Sequence, residues 1–317
     1  MRPRLVRPVA LLLRESDVEE LLPPADAVEA VEGCFARLAR GVVQNRPRLR
    51  VGLHDGLLHV MAAADLELGV AGLKTYVGFR EGARFMVALF ASDRPELLAL
   101  IDADRLGQRR TGAASAVAAR HLARPDARSL GVIGCGWQAE SQVECIRAAL
   151  PGIEQVTVFC RDEDRRAAFA RRFDAEAAEW YREAATQDVV VTITSSKDPV
   201  LRGEWLRPGA LVCAAGANRL EARELDNAVL ERAGFVCCDS LEQARIEAGD
   251  LVEPVERGVL DWLEVHELAS VVGGDVPGRQ SADDIVVFKS VGIAAEDLAV
   301  AKLVLDRARE RGLGTDV

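Results

Sequence analysis

The sequence predicts an α/β protein in which a Rossmann-type doubly wound parallel sheet is joined to a second, α+β lobe. Three observations predict it. From Ser129 onward, short apolar runs alternate with helical stretches. The first of these runs ends in the glycine-rich turn Gly134, Cys135, Gly136. Before it, residues 49–90 have the short, glycine-broken texture of an antiparallel sheet. A chain of 317 residues suits two domains, and 49% hydrophobic against 28% charged residues is the balance of a sequence that folds.

Taken in order, Ser16 with Glu19 and Asp26 with Glu29 have capping-box spacing and predict two helix starts. The second helix runs through Ala30, Phe35 and Leu38 to a stop at Gly41. Runs such as Leu57 to Met61 and Phe85 to Phe90 read as strands of the antiparallel sheet. The Ala-rich stretch Thr111 to Ala123, followed by Pro125, predicts a helix that begins right after Arg109 and Arg110. Six strand-like runs follow, at 130–133, 156–160, 189–193, 210–214, 235–238 and 285–288, several of them continuously apolar, as burial on both faces requires. Residues 296–311 close the chain as an amphipathic helix with Leu298, Ala301, Leu305 and Ala308 on one stripe, ended by Gly312 and Gly314.

Composition excludes several classes. A formal net charge of −10 repels a phosphate backbone, so nucleic acid is not an expected partner. Arg2, Arg4 and Arg7 ahead of the run Val9 to Leu13 give a faint signal-peptide texture, but Arg14 and Glu15 end the run too early. No stretch approaches the roughly 20 apolar residues of a membrane span, and a cytoplasmic protein without a membrane partner is expected. The seven cysteines show no C-x-x-C spacing and read as reduced, mostly buried thiols, and with four scattered histidines no metal-ligand set is expected.

Gly134, Cys135, Gly136, Trp137, Gln138 and Ala139 match G-x-G-x-x-G/A between a strand and a helix. The first glycine allows the tight turn, the second lets backbone approach a pyrophosphate, and Ala139 lets the helix pack on the strand. The helix N-terminus then offers amides and positive dipole to phosphates. At the end of the next strand the residue aligned with the usual ribose-binding acid is Cys160, followed by Arg161 and Asp162. A guanidinium there pairs with a 2′-phosphate, which favours NADP(H). Alternatively Arg161 is a solvated residue and Asp162 meets the ribose of NAD(H).

Outside the nucleotide motif three cations suit an anionic substrate: Arg110 beside the Thr111 helix, Lys74 after the apolar run Val70 to Leu73, and Arg48 before a strand. Taken alone each is more often a surface cation. The stretch Gly107 to Ser115 resembles the R-T-x-A-A-S signature of the ornithine cyclodeaminase and mu-crystallin family. Gly134 to Ala139, Gly72 to Lys74, Arg223 to Asp226, and Asp284 to Gly292 followed by Glu296 and Asp297 are similar to the same family's motifs. The resemblance implies a homodimer in which residues 1–117 with 293–317 form the substrate-binding and dimerisation domain and 118–292 the dinucleotide-binding domain. It implies that Arg48, Lys74 and Arg110 hold the substrate carboxylate, and that Thr111, Gln138, Ala139, Thr194 and Ser290, with Gly216, lie along the nucleotide. The other reading of Lys74 and Arg48 is as intersubunit salt bridges.

One departure separates the chain from true ornithine cyclodeaminases, which resemblance implies carry an aspartate after the fourth strand. Here the sequence is Ala215, Gly216, Ala217, Asn218. Asparagine hydrogen-bonds but takes no proton, which disfavours ring closure with loss of ammonia. Asn218 is equally suited to a turn. The expected function is therefore NAD(P)H-dependent reduction of a small cyclic ketimine or 2-oxo acid imine to an amino acid, or the reverse. The rivals are an ammonia lyase using bound NAD and a non-catalytic carrier of NADPH and a small ligand. Candidate contacts to the substrate's side chain, His54, Met61 and Tyr76, are not ranked by the sequence.

Overall fold

The computed structural model describes residues 10–79 and 82–317, so Arg2, Arg4, Arg7 and Val9 of the signal-peptide texture lie outside the described residues. The chain folds as two compact units. The first comprises residues up to Pro23, Gly41–Gly107 and Ile293–Val317, and the second Pro24–Arg40 and Gln108–Gly292.

The first part of the chain forms β1 (Leu11–Leu13), α1 (Glu15–Leu21), α2 (Pro24–Ala39), β2 (Val43–Asn45) and β3 (Leu49–Gly52). Then come β4 (Leu57–Asp65), β5 (Val70–Phe79), β6 (Gly82–Ala91), β7 (Leu97–Asp102) and α3 (Asp104–Leu122). The nucleotide-type segment follows as β8 (Ser129–Ile133), α4 (Trp137–Ala149), β9 (Gln155–Phe159), α5 (Glu163–Phe173), β10 (Glu176–Ala177), α6 (Tyr181–Ala185), β11 (Val189–Thr192) and β12 (Leu211–Ala214). The remainder is α7 (Asn227–Glu231), β13 (Ala233–Cys238), α8 (Leu241–Glu247), α9 (Gly249–Glu256), β14 (Val265–Glu267), α10 (Leu268–Val272), β15 (Ile285–Lys289), α11 (Ala294–Arg311) and β16 (Thr315–Asp316).

In the first unit the sheet order is β16-β1-β7-β6-β5-β4-β2, with β3 paired to β4, and β2 to β7 are antiparallel as their texture predicts. Alternation along β4 buries His59, Met61, Ala63 and Asp65, and α11 lies across β4, β5 and β6 with Leu298, Ala301, Leu305 and Ala308 all buried. Leu49, Val51, Leu57, Phe79, Met86 and Phe90 on β3 to β6 stay exposed.

The second unit is a parallel sheet ordered β10-β9-β8-β11-β12-β15-β13-β14. The order reverses between β8 and β11, which is the doubly wound topology and its switch point. All six predicted strands are present, and β8, β11, β12 and β15 are buried along their whole length. The short edge strands β10 and β14 are additions. Helix α2 and residues 108–117, expected with the other lobe, group with this unit, where α2 packs on α4 and α10.

Three helix starts differ from expectation. The box at α1 uses Asp17, whose carboxylate accepts the Arg14 amide at 2.8 Å, and not Ser16 with Glu19. Helix α2 begins at Pro24, which suits a first-turn position lacking an amide, and leaves Asp26 inside the first turn, where its charge complements the dipole. Helix α3 begins at Asp104, so Arg109 and Arg110 lie within it and not before it. The cap is supplied from far along the chain: Glu15 accepts the Asp104 amide at 2.7 Å and the Arg105 amide at 2.9 Å. Replacing Glu15 with alanine should therefore cost about 1 kcal/mol of stability, the usual loss for an N-cap, read as a lower urea midpoint at unchanged slope.

Candidate functional site

In the second unit the chain leaves β8 at Gly134, whose φ of +125° places it where a side chain is strained. A Cβ there would also run into the Ile193 carbonyl. Gly136 is the N-cap of α4, no side chain caps the first turn, and the space beside it is open. The Oε1 of Gln138 is shielded from solvent and has no hydrogen-bond partner among the described residues. An open helix N-terminus flanked by an orphaned amide oxygen fits a dinucleotide's phosphates and hydroxyls. Farther along α4, the helix crosses α3 at Gly112, where a methyl group would strike the Ser141 backbone.

Beyond the turn, Glu224 ties the strand ends together. Its carboxylate accepts from the Thr192 hydroxyl (2.9 Å), the Thr194 amide (2.6 Å) and hydroxyl (2.8 Å), and the Gly216 amide (2.7 Å). Burial pushes its carboxyl above the ordinary range, and the Lys289 charge opposes the rise. Lys289, fully buried, pairs with Asp250 at 2.8 Å and donates to the Ala217 carbonyl at 2.6 Å. Asp250 in turn accepts the Glu224 and Leu225 amides. Thr194, Gly216 and the segment leading to half-buried Asn218 are thus held by one buried network.

The loop after β15 is held in a similar way. Asp239 accepts from the Ser290 hydroxyl at 3.1 Å and from the Val291 and Gly292 amides at 2.8 and 2.6 Å. Burial raises its carboxyl, while these bonds and the Arg110 charge pull it down. The Arg110 guanidinium packs against Gly292, whereas Arg109 pairs with Glu144 at 3.0 Å. Thr111, buried in α3, receives the Gln142 amide on its carbonyl at 3.3 Å.

In the first unit Lys74 is only 2% exposed, and its ammonium meets both carboxylate oxygens of Asp297, at 2.8 and 2.7 Å. The pair joins β5 to the start of α11. Arg48, buried, precedes β3. His59 lies on the same buried face of β4 as Met61, opposite Tyr76, and the rings of His59, Tyr76 and Phe85 stack with centroids 4.2 and 4.5 Å apart. Burial, reinforced by the charges of Arg48, Arg50 and Lys74, lowers the His59 pKa to about 4. His59 is therefore a neutral imidazole at neutral pH.

The structure thus places the charges of Lys74 and Arg48 near His59, and brings Thr194 and Gly216 to one carboxylate. Ser290 and Arg110 meet around Asp239. Arg161 is exposed after β9, and a second cation, Arg166, donates to the Cys160 carbonyl at 3.1 Å. The sequence alone assigns no role to Asp297, Glu224, Asp239, Asp250 or Lys289. The available signals are that Glu224, Lys289 and Asp297 fall within the family-like stretches of the sequence, the lysine at the end of the apolar run 285–288. The expectation of reduced cysteines is corrected: Cys135 and Cys160 form a disulfide with Cα atoms 5.8 Å apart. Parallel pairing of Ile133 with Phe159 brings the residues after β8 and β9 together, which no spacing along the chain reveals. The other five cysteines are not in disulfides and are buried. Among the described residues no helix is long and apolar enough to cross a membrane.

The parallel sheet, its switch point and the glycine turn define a Rossmann-type protein. The chain belongs to the ornithine cyclodeaminase/mu-crystallin family, whose sequence profile it matches over residues 9–312. It is 38% identical to a Delta(1)-pyrroline-2-carboxylate reductase of Bacillus cereus over 240 residues, covering 72% of each chain. Among solved structures it is similar to Thermococcus litoralis Delta(1)-pyrroline-2-carboxylate reductase in complex with NADH and L-proline (TM-score 0.92, 30% identity, 97% of this chain and 100% of that one). An archaeal alanine dehydrogenase dimer with bound NAD is equally similar (TM-score 0.92, 32% identity, 97% and 98% covered).

The buried imidazole makes a pH prediction. Unfolded, His59 takes a proton near its ordinary 6.5; folded, it does so only near 4. The unfolded state then binds more protons between these values, so stability falls as the pH is lowered across that window, by about 1.4 kcal/mol per pH unit at most. His59→Phe, which keeps a ring for the stack, should lose less stability than the parent between pH 6.5 and 5 in urea unfolding.

Proposed function

We propose that the chain is an NAD(P)H-dependent oxidoreductase that reduces the C=N bond of a small imino acid, a cyclic ketimine or the imine of a 2-oxo acid, to the α-amino acid, or runs that reaction in reverse. The observation that carries this reading is the buried Lys74 ammonium, held by Asp297 on a face shared with a neutral histidine and with Arg48 nearby. An ammonium is kept out of water only with a counter-charge, which Asp297 supplies, and a substrate carboxylate brought to Lys74 and Arg48 would meet charge-assisted donors. A nucleotide turn in the same chain supplies the redox partner's binding place, and the relatives named above reduce or dehydrogenate such compounds.

In this reading Arg48, Lys74 and Arg110 hold the substrate carboxylate through charge-assisted bonds. Holding it fixes the α-carbon and converts an encounter into an oriented one. The bound nicotinamide would supply hydride to that carbon. Lys74 passes a proton to the substrate nitrogen or polarises it, and Asp297 keeps the ammonium in place. Thr111, Gly134, Gly136, Gln138, Ala139, Thr194, Gly216 and Ser290 hold the dinucleotide, and Arg161 next to Cys160 favours NADP(H) over NAD(H). Asn218, polar but without a titrating group, orients substrate and leaves no base for ring closure, which sets the lyase reading second. The exposed apolar residues of β3 to β6 fit association of two copies, a homodimer.

Purified protein should consume NADPH continuously with pyrroline-2-carboxylate, piperideine-2-carboxylate, or pyruvate plus ammonia or methylamine, at lower KM than with NADH. Tight NADPH binding with no oxidation across this panel would leave the carrier reading, and ammonia release from a diamino acid without net cofactor use the lyase. Lys74→Met and Arg110→Leu should each lower kcat/KM by about a hundredfold or more, while a fluorescence titration of NADPH stays near normal in Lys74→Met. Arg161→Ala should weaken NADPH binding more than NADH binding.

A further inference from the structure

We infer that Cys135 and Cys160 form a reversible thiol–disulfide switch that closes the adenosine end of the nucleotide site, an inference that rests on the dinucleotide reading of the turn. Cys135 lies between the two glycines whose backbone approaches the pyrophosphate. Cys160 is the first residue after β9, the place where a ribose hydroxyl or its phosphate is met. The bridge spans the gap between these two points, so its sulfur atoms stand where the ribose enters, and it ties down a turn that must admit a phosphate.

Chemistry selects this pair over the rest. Both residues are half-buried and reachable, and Cys135 sits just ahead of the N-terminus of the 13-residue helix α4, whose dipole favours a thiolate. The remaining cysteines, Cys34, Cys145, Cys213, Cys237 and Cys238, are buried. Burial pushes Cys145 and Cys213 up to about 12 and Cys237 and Cys238 well above the ordinary thiol range, so none of these four is a thiolate at neutral pH.

The oxidant is a peroxide. The Cys135 thiolate attacks one peroxide oxygen, the O–O bond breaks, and the departing hydroxide is protonated to water, leaving a sulfenic acid. The Cys160 thiolate attacks that sulfur, the S–O bond breaks, and a second hydroxide leaves as water. Two thiols are oxidised, the peroxide is reduced to two waters, and the two thiol protons end in them. A dithiol reverses the bridge by exchange through a mixed disulfide. Closing the site under oxidant spares reduced cofactor that turnover would consume.

The test uses the full chain and its Cys135→Ser and Cys160→Ser variants, each reduced with a phosphine or treated with hydrogen peroxide. Free thiols are counted after denaturation, and NADPH and NADH are titrated by fluorescence. Oxidised parent protein should lose two thiols and bind dinucleotide at least about tenfold more weakly than the reduced form, with recovery in dithiothreitol. In each variant the ratio of oxidised to reduced affinity should be near one. An oxidised parent that keeps all its thiols, or loses two with no change in affinity, overturns the switch and leaves the cofactor reading standing. A reduced protein that binds neither dinucleotide overturns both, and the thiol count then still reports whether the pair closes.

Discussion

The carboxylate of Glu224 is the constraint on which the nucleotide-type unit depends. It is buried with four donors around it, from two strand ends and the loops that follow them. A buried charge is tolerable only when it is paired and hydrogen-bonded. Lys289 and Asp250 complete the arrangement from a neighbouring strand and a helix, and Asp239 repeats the logic one strand over. The carboxyl ends of parallel strands are where such a sheet leaves its crevice. Here the crevice walls are fixed by interior charges and not by surface contacts, so the loops bearing Thr194, Gly216 and Ser290 are presented by a rigid frame.

Much of that frame was legible in the sequence. Continuous apolar runs identify the central strands because a parallel sheet is covered on both faces, and burial along β8, β11, β12 and β15 is complete. The stripe on α11 was legible because one face of a regular helix repeats. Strands β10 and β14 were not, being two and three residues long, too short for any periodicity to accumulate. The start of α3 was hidden because its cap comes from Glu15, and the role of Asp297 was hidden because its partner Lys74 lies 223 residues away. Ion pairs and disulfides made by folding leave no spacing to read.

The first unit sets a different balance. Burial, reinforced by the charges of Arg48, Arg50 and Lys74, keeps His59 uncharged, while Asp297 pairs with Lys74. The cations that act on His59 lie near the stack of His59, Tyr76 and Phe85.

The crossing of α3 and α4 at Gly112 carries a consequence for engineering. Because Ser141 backbone occupies the space a side chain would need, the spacing between these helices is set at a point remote from the ribose. Residues 161 and 162, which follow β9, take no part in this crossing. Enlarging residue 112 would displace the whole of α4, moving Gly136, Gln138 and Ala139 as a block, so a library aimed at cofactor preference gains nothing from diversity there.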